Sequence, residues 1–492
     1  KRERVTLRVK DMKGDESVAY YRIDGQEQPH IKMGIFKLRI PFVHFKPEIP
    51  ELLQGFLLIA IPMSSITAHQ EMLGIPFELA IIMVTLNSLL YNVHVCLGDP
   101  VSAGWITPAI PLIGAWGVAN FAAGPERIHA TIALGLLMAL IFFVLGITGL
   151  GKKVVRIIPS PLRIGIVLGA GVSSVMSVAG TRMKGIEIAV LGGVAIAFIT
   201  MFAPYFLHRV HTNKGLKLIA KFGMLPGLVG ACIIAYVTKA VPLPTFDFSF
   251  IDLSRVPELI QNYTIFGLGF PPLSTFVKAI PMAITCYIIA FGDFVFAEAV
   301  INEADAVRQD EFLNYDSNRT NIICGFRNLL LALVAPYGAV LSGPLWGATH
   351  MSILERYKHG RKDMDSLFGG LWSMNCTLMI GTMWMGFVSL FKPCLQVAMS
   401  VTMMVQAWGC FYLSIEMCKT RLEMSIAGIT AIFLATKGAT WGLCVGLGLC
   451  LIMGAFKNAK FEKETIGAVS PEDVLTEEVV PDVLATIAEE DL

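Results

Sequence analysis

The chain of 492 residues is 54% hydrophobic and 16% charged, against the roughly 25% charged residues of an average soluble protein. Its 39 basic and 38 acidic residues leave a formal charge of +1, so no global field selects nucleic acid or an acidic partner. The ten cysteines sit mostly inside apolar runs with no CxxC pair, which argues against a zinc or disulfide framework and reads as small buried residues.

Residues 1–50 are polar and mixed in charge, a cytoplasmic lead-in partly ordered against the membrane face. Apolar windows of roughly 20 residues then recur, and about fourteen spans are predicted. Their centres fall near Ile59, Val84, Leu112, Leu140, Gly169, Ala195, Gly230, Ile288, Leu333, Ala348, Gly381, Met403, Ile429 and Gly446. Residues 51–242 form a first group of seven spans, 243–274 an extracytoplasmic connector, 275–455 a second group of seven, and 456–492 a cytoplasmic tail. The basic segments GKKVVR (151–156), HRVHTNKGLK (208–217), ERYKHGRK (355–362), CKTR (418–421) and KNAKFEK (457–463) all fall on the side of the N-terminus. That side is therefore expected to be cytoplasmic, with both termini on it, in a multi-pass protein of the cell (inner or plasma) membrane. Only RMK at 182–184 falls on the other side.

The two halves share devices at an offset of roughly 220–235 residues. LLIAIPMSSI matches VKAIPMAI, GWITPAIPLIGAWG answers LSGPLWGATHMS, and IPSPLRIGIVLGAG answers FKPCLQVAMSVT. Seven is odd, so the second half enters the membrane from the opposite side and the repeat is inverted. The Pro- and Gly-interrupted segments near 107–113 and 343–350 are then two half-helices meeting head to head. Unpaired N–H groups at such ends favour an anion or an electron-rich solute.

The eighth span, FVKAIPMAITCYIIAFGDFVFAEAV, carries Asp293 and Glu298 among residues otherwise suited to lipid, and charge at that depth marks a site. Asp293 is expected to bind a coupling H⁺ or Na⁺ or to contact the solute, with Ala297 leaving room on the same helical face. Glu298 lies about 140° away round the helix; it is expected to pair with Arg327 of the ninth span, a proton-relay role being the alternative. Thr107, Ala109 and Ile110 are expected to offer backbone N–H groups, and Ser64 to face the same space. Thr349, His350, Met351 and Ser352 open the tenth span beyond its break; a neutral His350 imidazole there suits either solute contact or packing. No metal cluster has the required spacing, and no cofactor is expected beyond the coupling ion.

The stretch YDSNRTNIICGFRNLLLALVAPYGAVLSG resembles the ninth-span signature shared by the sulfate permease and uracil/xanthine permease families, with Asp316, Asn318, Arg319, Gly325 and Asn328 matching the pattern. IPSPLRIGIVLGAG is similar to their fifth span. The resemblance covers about residues 50 to 455 and implies an all-α polytopic fold with a core (transport) domain, a gate (scaffold) domain, an elevator-type movement and a homodimer. Asp293 matches the eighth-span acid of the uracil permeases. Phe294 and Ala297 stand where those proteins carry a following His, and Thr349 to Ser352 stand where they carry a second acid. Most sulfate permeases continue into a folded cytoplasmic domain, for which the roughly 35 residues after Ala455 are too few.

These features point to a secondary active transporter, not an enzyme, embedded in the lipid bilayer and moving a small anionic solute by cation coupling or exchange. A nucleobase symporter is the alternative within the fold; a receptor, channel or membrane enzyme is the alternative outside it.

Overall fold

The structure is a computed structural model that describes residues 22–151, 153, 158–210, 213, 215–216 and 224–455. The first part of the lead-in, much of the basic clusters at 151–156 and 208–217, and the tail from 456 lie outside the described residues.

The long helices run in chain order as α1 (Ile49–Leu58), α2 (Ala60–Leu73), α3 (Phe77–Cys96), α4 (Ile110–Asn120), α5 (Pro125–Thr148), α6 (Ser160–Ser177), α7 (Glu187–Phe202), α8 (Pro204–Val210) and α9 (Leu225–Val237). Two short helices, α10 (Val256–Tyr263) and α11 (Ile265–Leu268), occupy the connector. The second half holds α12 (Leu273–Val307), α13 (Ser317–Val334), α14 (Gly347–Lys358), α15 (Leu367–Met383), α16 (Met385–Phe391), α17 (Leu395–Met417), α18 (Arg421–Lys437) and α19 (Ala439–Ile452). Local chemistry sets many of the boundaries. Proline occupies the first turn of α1, α4, α5, α6, α9 and α10, where its missing N–H costs nothing. Left-handed Gly74 and Gly149 stop α2 and α5.

Thirteen of the expected centres lie inside a helix, and Ile59 lies at the joint between α1 and α2. Among the described residues six segments are long and apolar enough to cross a membrane: Ile49–Leu73, Phe77–Cys96, Pro125–Thr148, Ser160–Arg182, Leu273–Val307 and Met385–Met417. The chain is therefore a multi-pass membrane protein. The acidic stretch that follows Ile301 is still helix. Glu303, Ala304, Asp305 and Ala306 are compatible with helix and carry α12 on to Val307. The turn is Arg308 to Asp316, whose side chain caps α13 by accepting from the Asn318 N–H at 2.9 Å.

The helices sort into two packing groups. In one, α13 and α12 lie on α5, while α15 lies against α1 and α3. In the other, α18 and α17 lie on α6, α9 on α7, and α19 on α18. Small residues allow the closest approaches: a Cβ on Gly193 of α7 would sit 2.4 Å from that of Ala231 on α9. The groups meet where α17 crosses α2.

The helical expectation misses two small sheets. Strands β1 (Ile31–Met33) and β2 (Phe36–Leu38) form an antiparallel hairpin with Lys32 opposite Lys37. It belongs to a strap over residues 22–48 that folds onto the α12–α13 turn. Arg22 is buried and donates to Asp310 Oδ2 at 2.7 Å and to Gln28 Oε1 at 2.6 Å. Arg308 grips the same carboxylate with two bonds of 2.6 and 2.9 Å. Strands β3 (Gly104–Trp105) and β4 (Ser342–Gly343) form the second sheet.

Candidate functional site

The chain just ahead of the 107–113 break meets the chain leading into the 343–350 break, and the contact is a β-ladder. Gly104 lies opposite Gly343 and Trp105 opposite Ser342. The Ile106 N–H donates to Leu341 O at 3.0 Å, and Trp346 N–H to Ser102 O at 2.7 Å. Both glycines are required by proximity. A Cβ on Gly104 would fall 2.7 Å from Leu345 O, and one on Gly343 would fall 2.8 Å from the Trp105 carbonyl carbon, both backbone atoms.

Each strand runs within a few residues into a helix start, and both starts, the turn at Thr107–Ala109 and α14, pack against α12. The two ends differ in what they offer. A 3₁₀ turn spans Thr107–Ala109 with Pro108 inside it. It commits the Ala109 N–H to Ile106 O and the Ile110 N–H to Thr107 O. Of the three amides expected to be free there, only that of Thr107 lacks a partner among the described residues. The correction follows from the tighter i to i+3 bonding. At α14, Gly347, Ala348 and Thr349 all present N–H groups without a partner among the described residues, while the His350 N–H returns to Trp346 O at 2.9 Å.

The remaining candidates divide. Asp293 is half-buried and makes no hydrogen bond or ion pair among the described residues. Gly292 before it faces Leu413 of α17, and Phe296, three residues on, lies beside Gly347 at the start of α14. Positions i and i+3 share a helix face, so Asp293 and the free amides of α14 border one region. Ala297 is fully buried, so it packs and leaves no open space. Ser64 donates to Ile61 O at 2.6 Å within its own helix. Gln54 donates to Ser352 Oγ at 3.2 Å, tying α14 to α1; Met351 is half-buried. His350 is fully buried, and its Nδ1 accepts from the Ser102 N–H at 3.2 Å. Its proton is therefore on Nε2, which has no partner among the described residues.

Glu298 and Arg327 are not paired. Glu298 lines a small, partly open cleft with Tyr287, Phe294, Ser317, Asn318 and Asn321, and Arg327 lies about two turns or more further along α13. Depth along the membrane normal was the wrong criterion, because the rotation of α13 turns Arg327 toward α3. There Arg327 donates to Gly343 O at 3.1 Å and to Gly104 O and Asn87 Oδ1 at 3.4 Å, and meets His94 Nε2 at 3.3 Å. His94 in turn holds Asp99 at 2.8 Å. Asn87, His94 and Asp99 were not picked out from the sequence. The signal was present, since Asn87, Tyr91 and His94 recur at i, i+4 and i+7 in an otherwise apolar helix, which puts them on one face.

No protein-family model and no curated protein matches the sequence. Solved structures do. The transmembrane domain of a cyanobacterial bicarbonate transporter, BicA, aligns with a TM-score of 0.50 at 14% identity, over 81% of this chain and 97% of that one. The chain has that fold. Murine solute carrier 26 family member A9, an anion transporter in its inward-facing state, gives 0.52 at 14% identity over 84% of this chain and 69% of that one. A further structure of SLC26A9 gives 0.51 at 14% identity over 82% and 64%, so the chain spans about two-thirds of that protein's length. These structures are of the sulfate permease type, and the resemblance read from the ninth-span motif holds at the level of the fold.

Proposed function

We infer that the chain is a secondary active transporter of a small anion. The observation that carries this reading is the cluster of amides of Gly347, Ala348 and Thr349 that have no partner among the described residues, together with the Thr107 amide at the other end of the β3–β4 ladder. Free N–H groups at a helix start favour negative charge without a basic side chain. Its fold neighbours, a bicarbonate transporter and an anion transporter, support the same class.

In this reading the fourteen centres are membrane segments, with α4 and α14 as half-spans. Residues 51–242 and 275–455 are inverted seven-span repeats joined outside the membrane by 243–274. The group containing α5, α12 and α13 is the transport core, and the group containing α6, α7, α9 and α17 to α19 is the gate. The core carries the solute by an elevator movement. Both termini, 1–50 and 456–492, are cytoplasmic, and the protein works as a homodimer in the cell membrane. Asp293 takes the coupling H⁺ or Na⁺, with Thr349 and the neutral His350 in the wall beside the solute.

The test is uptake into proteoliposomes of radiolabelled sulfate and bicarbonate, with uracil and xanthine as comparators, under imposed H⁺ and Na⁺ gradients and under exchange conditions. Saturable anion uptake is expected. Saturable uracil or xanthine uptake with no anion uptake would replace this reading by the nucleobase one.

A further inference from the structure

Arg327 is fully buried, and every group it bonds is neutral. The Tyr91 ring lies 4.9 Å from its Cζ. A buried guanidinium without a carboxylate against it is costly to keep, so the arrangement around it needs a reason.

On one side the chain of bonds is directional. Arginine has donors only, so His94 Nε2 accepts from it; His94 then carries its proton on Nδ1 and donates to Asp99 Oδ2. Asp99 also accepts from the Thr320 hydroxyl at 2.9 Å. The nearest balancing charge along this chain is thus one imidazole away. On the other side the same guanidinium binds the carbonyls of Gly104 and Gly343, the residues that face each other across the ladder. The next residue, Asn328, donates to Ser342 O at 2.9 Å and accepts from its N–H at 3.0 Å, acting as a third strand on the edge of β4. Two consecutive side chains of α13 therefore hold the whole crossover.

We propose that Arg327 is the positioning residue of the anion site and supplies its positive charge from behind the backbone. It fixes the two strands that lead into the two helix starts, and its field adds to theirs without touching the solute. This assignment rests on the anion reading above. Thr107 and Gly347 follow Gly104 and Gly343 by three and four residues, a reach of no more than roughly 14 Å. At about 12 Å and an effective dielectric of about 20, one unit charge changes the affinity of a monoanion on the order of tenfold, and that of a dianion by about the square.

The experiment is titration of the purified full-length protein with bicarbonate and with sulfate, followed calorimetrically, alongside melting curves for wild type, Arg327→Lys, Arg327→Gln and Asp99→Asn. Lys keeps the charge and should hold both affinities within about threefold. Gln should lose on the order of tenfold for bicarbonate and distinctly more for sulfate. Asp99→Asn removes the opposing charge while keeping an acceptor for His94, so it should tighten both, sulfate more. Equal losses for the two anions in Lys and Gln would mean that Arg327 only supports the fold. If Arg327→Gln fails to fold, Asp99→Asn decides: unchanged or weaker binding overturns the assignment. Wild-type protein that binds neither anion sinks the anion reading and this assignment together, whereas wild-type binding with unaltered variants sinks this assignment alone.

Discussion

Arg182, just after α6, closes an ion pair with Glu71 near the end of α2, joining the two helix groups on the face away from the N-terminal strap. A second junction lies nearby: Lys392 sits 3.8 Å from Glu78 and 4.0 Å from the centre of the Phe77 ring, and Arg255 approaches Glu78 at 3.6 Å. If the two helix groups move against each other as proposed above, both contacts have to break. Each half-exposed pair is worth about 0–1 kcal/mol, so together they bias a conformational balance severalfold without locking it. In a Glu71→Gln, Glu78→Gln double variant, spin labels at Gln70 and Lys239 should show a longer-distance population severalfold larger than in the parent. An unchanged distance distribution would mean that these pairs do not hold the closed face.

The strap gives a prediction about pH. Burial pushes the Asp310 carboxyl up, but the hydrogen bonds and charges of Arg308 and Arg22 outweigh it and hold it at about 2. A carboxyl held below its unfolded value, near 3.9, adds stability that is present above about pH 4 and lost as pH falls toward 2. Asp310→Asn should therefore cost about 1 kcal/mol at pH 7, after allowance for its partial exposure. The gap from wild type should close between pH 4 and 2 in paired melting curves. Burial pushes its neighbour Glu311 the other way, a contribution common to both proteins. A gap that stays constant with pH would remove Asp310 as its source.

At the crossover, Gly343→Ala should leave the protein in the membrane but without transport. The added methyl would fall on the Trp105 backbone at 2.8 Å, and backbone cannot step aside as a flexible side chain does. The ladder has to separate, which shifts the amides of α14 relative to that of Thr107 at its other end. Expression and melting temperature should fall modestly and uptake by more than tenfold, since a displacement of about 1 Å is enough for such a loss. Uptake within twofold of wild type would show that the helix starts need no such register.

Much of this was legible from residue order, for identifiable reasons. The two breaks follow from Pro and Gly inside apolar runs, so a meeting of 107–113 with 343–350 was predictable, and the strands that pair are Gly104–Trp105 and Ser342–Gly343. The β-ladder was not, because strands of two residues carry no periodicity. The partner of Arg327 was misread because depth is fixed by position along the helix, whereas the partner is fixed by the rotation of α13, which its packing on α5 decides. The amides of Ala109 and Ile110 were misjudged for a local reason, the 3₁₀ turn around Pro108. The strap was underestimated because its order comes from distant partners, Asp310 and Asp365, that accept from Arg22.

Asp293 is where the coupling reading can be separated from its rivals. Its carboxylate is half-buried, has no hydrogen-bond or ion-pair partner among the described residues, and borders the same region as the free amides of Gly347 to Thr349. An acid at membrane depth that no protein group balances is available to a cation or a proton. Asp293→Asn keeps the size and the hydrogen-bonding capacity while removing the negative charge and the titratable proton, so folding should survive. If a cation couples here, its gradient should no longer drive uptake in the variant, while exchange of solute across the membrane persists. Wild-type protein should then show an apparent affinity that shifts with pH or Na⁺, and the variant should show none of that shift. If the solute itself is held by Asp293, binding should instead weaken at every pH. For an anionic solute, loss of a neighbouring negative charge should tighten binding, so a weaker sulfate or bicarbonate affinity in the variant would count against the anion reading as well. Gradient-driven uptake equal to wild type, with the pH response intact, would make the charge structural and move the search for the coupling group to His350.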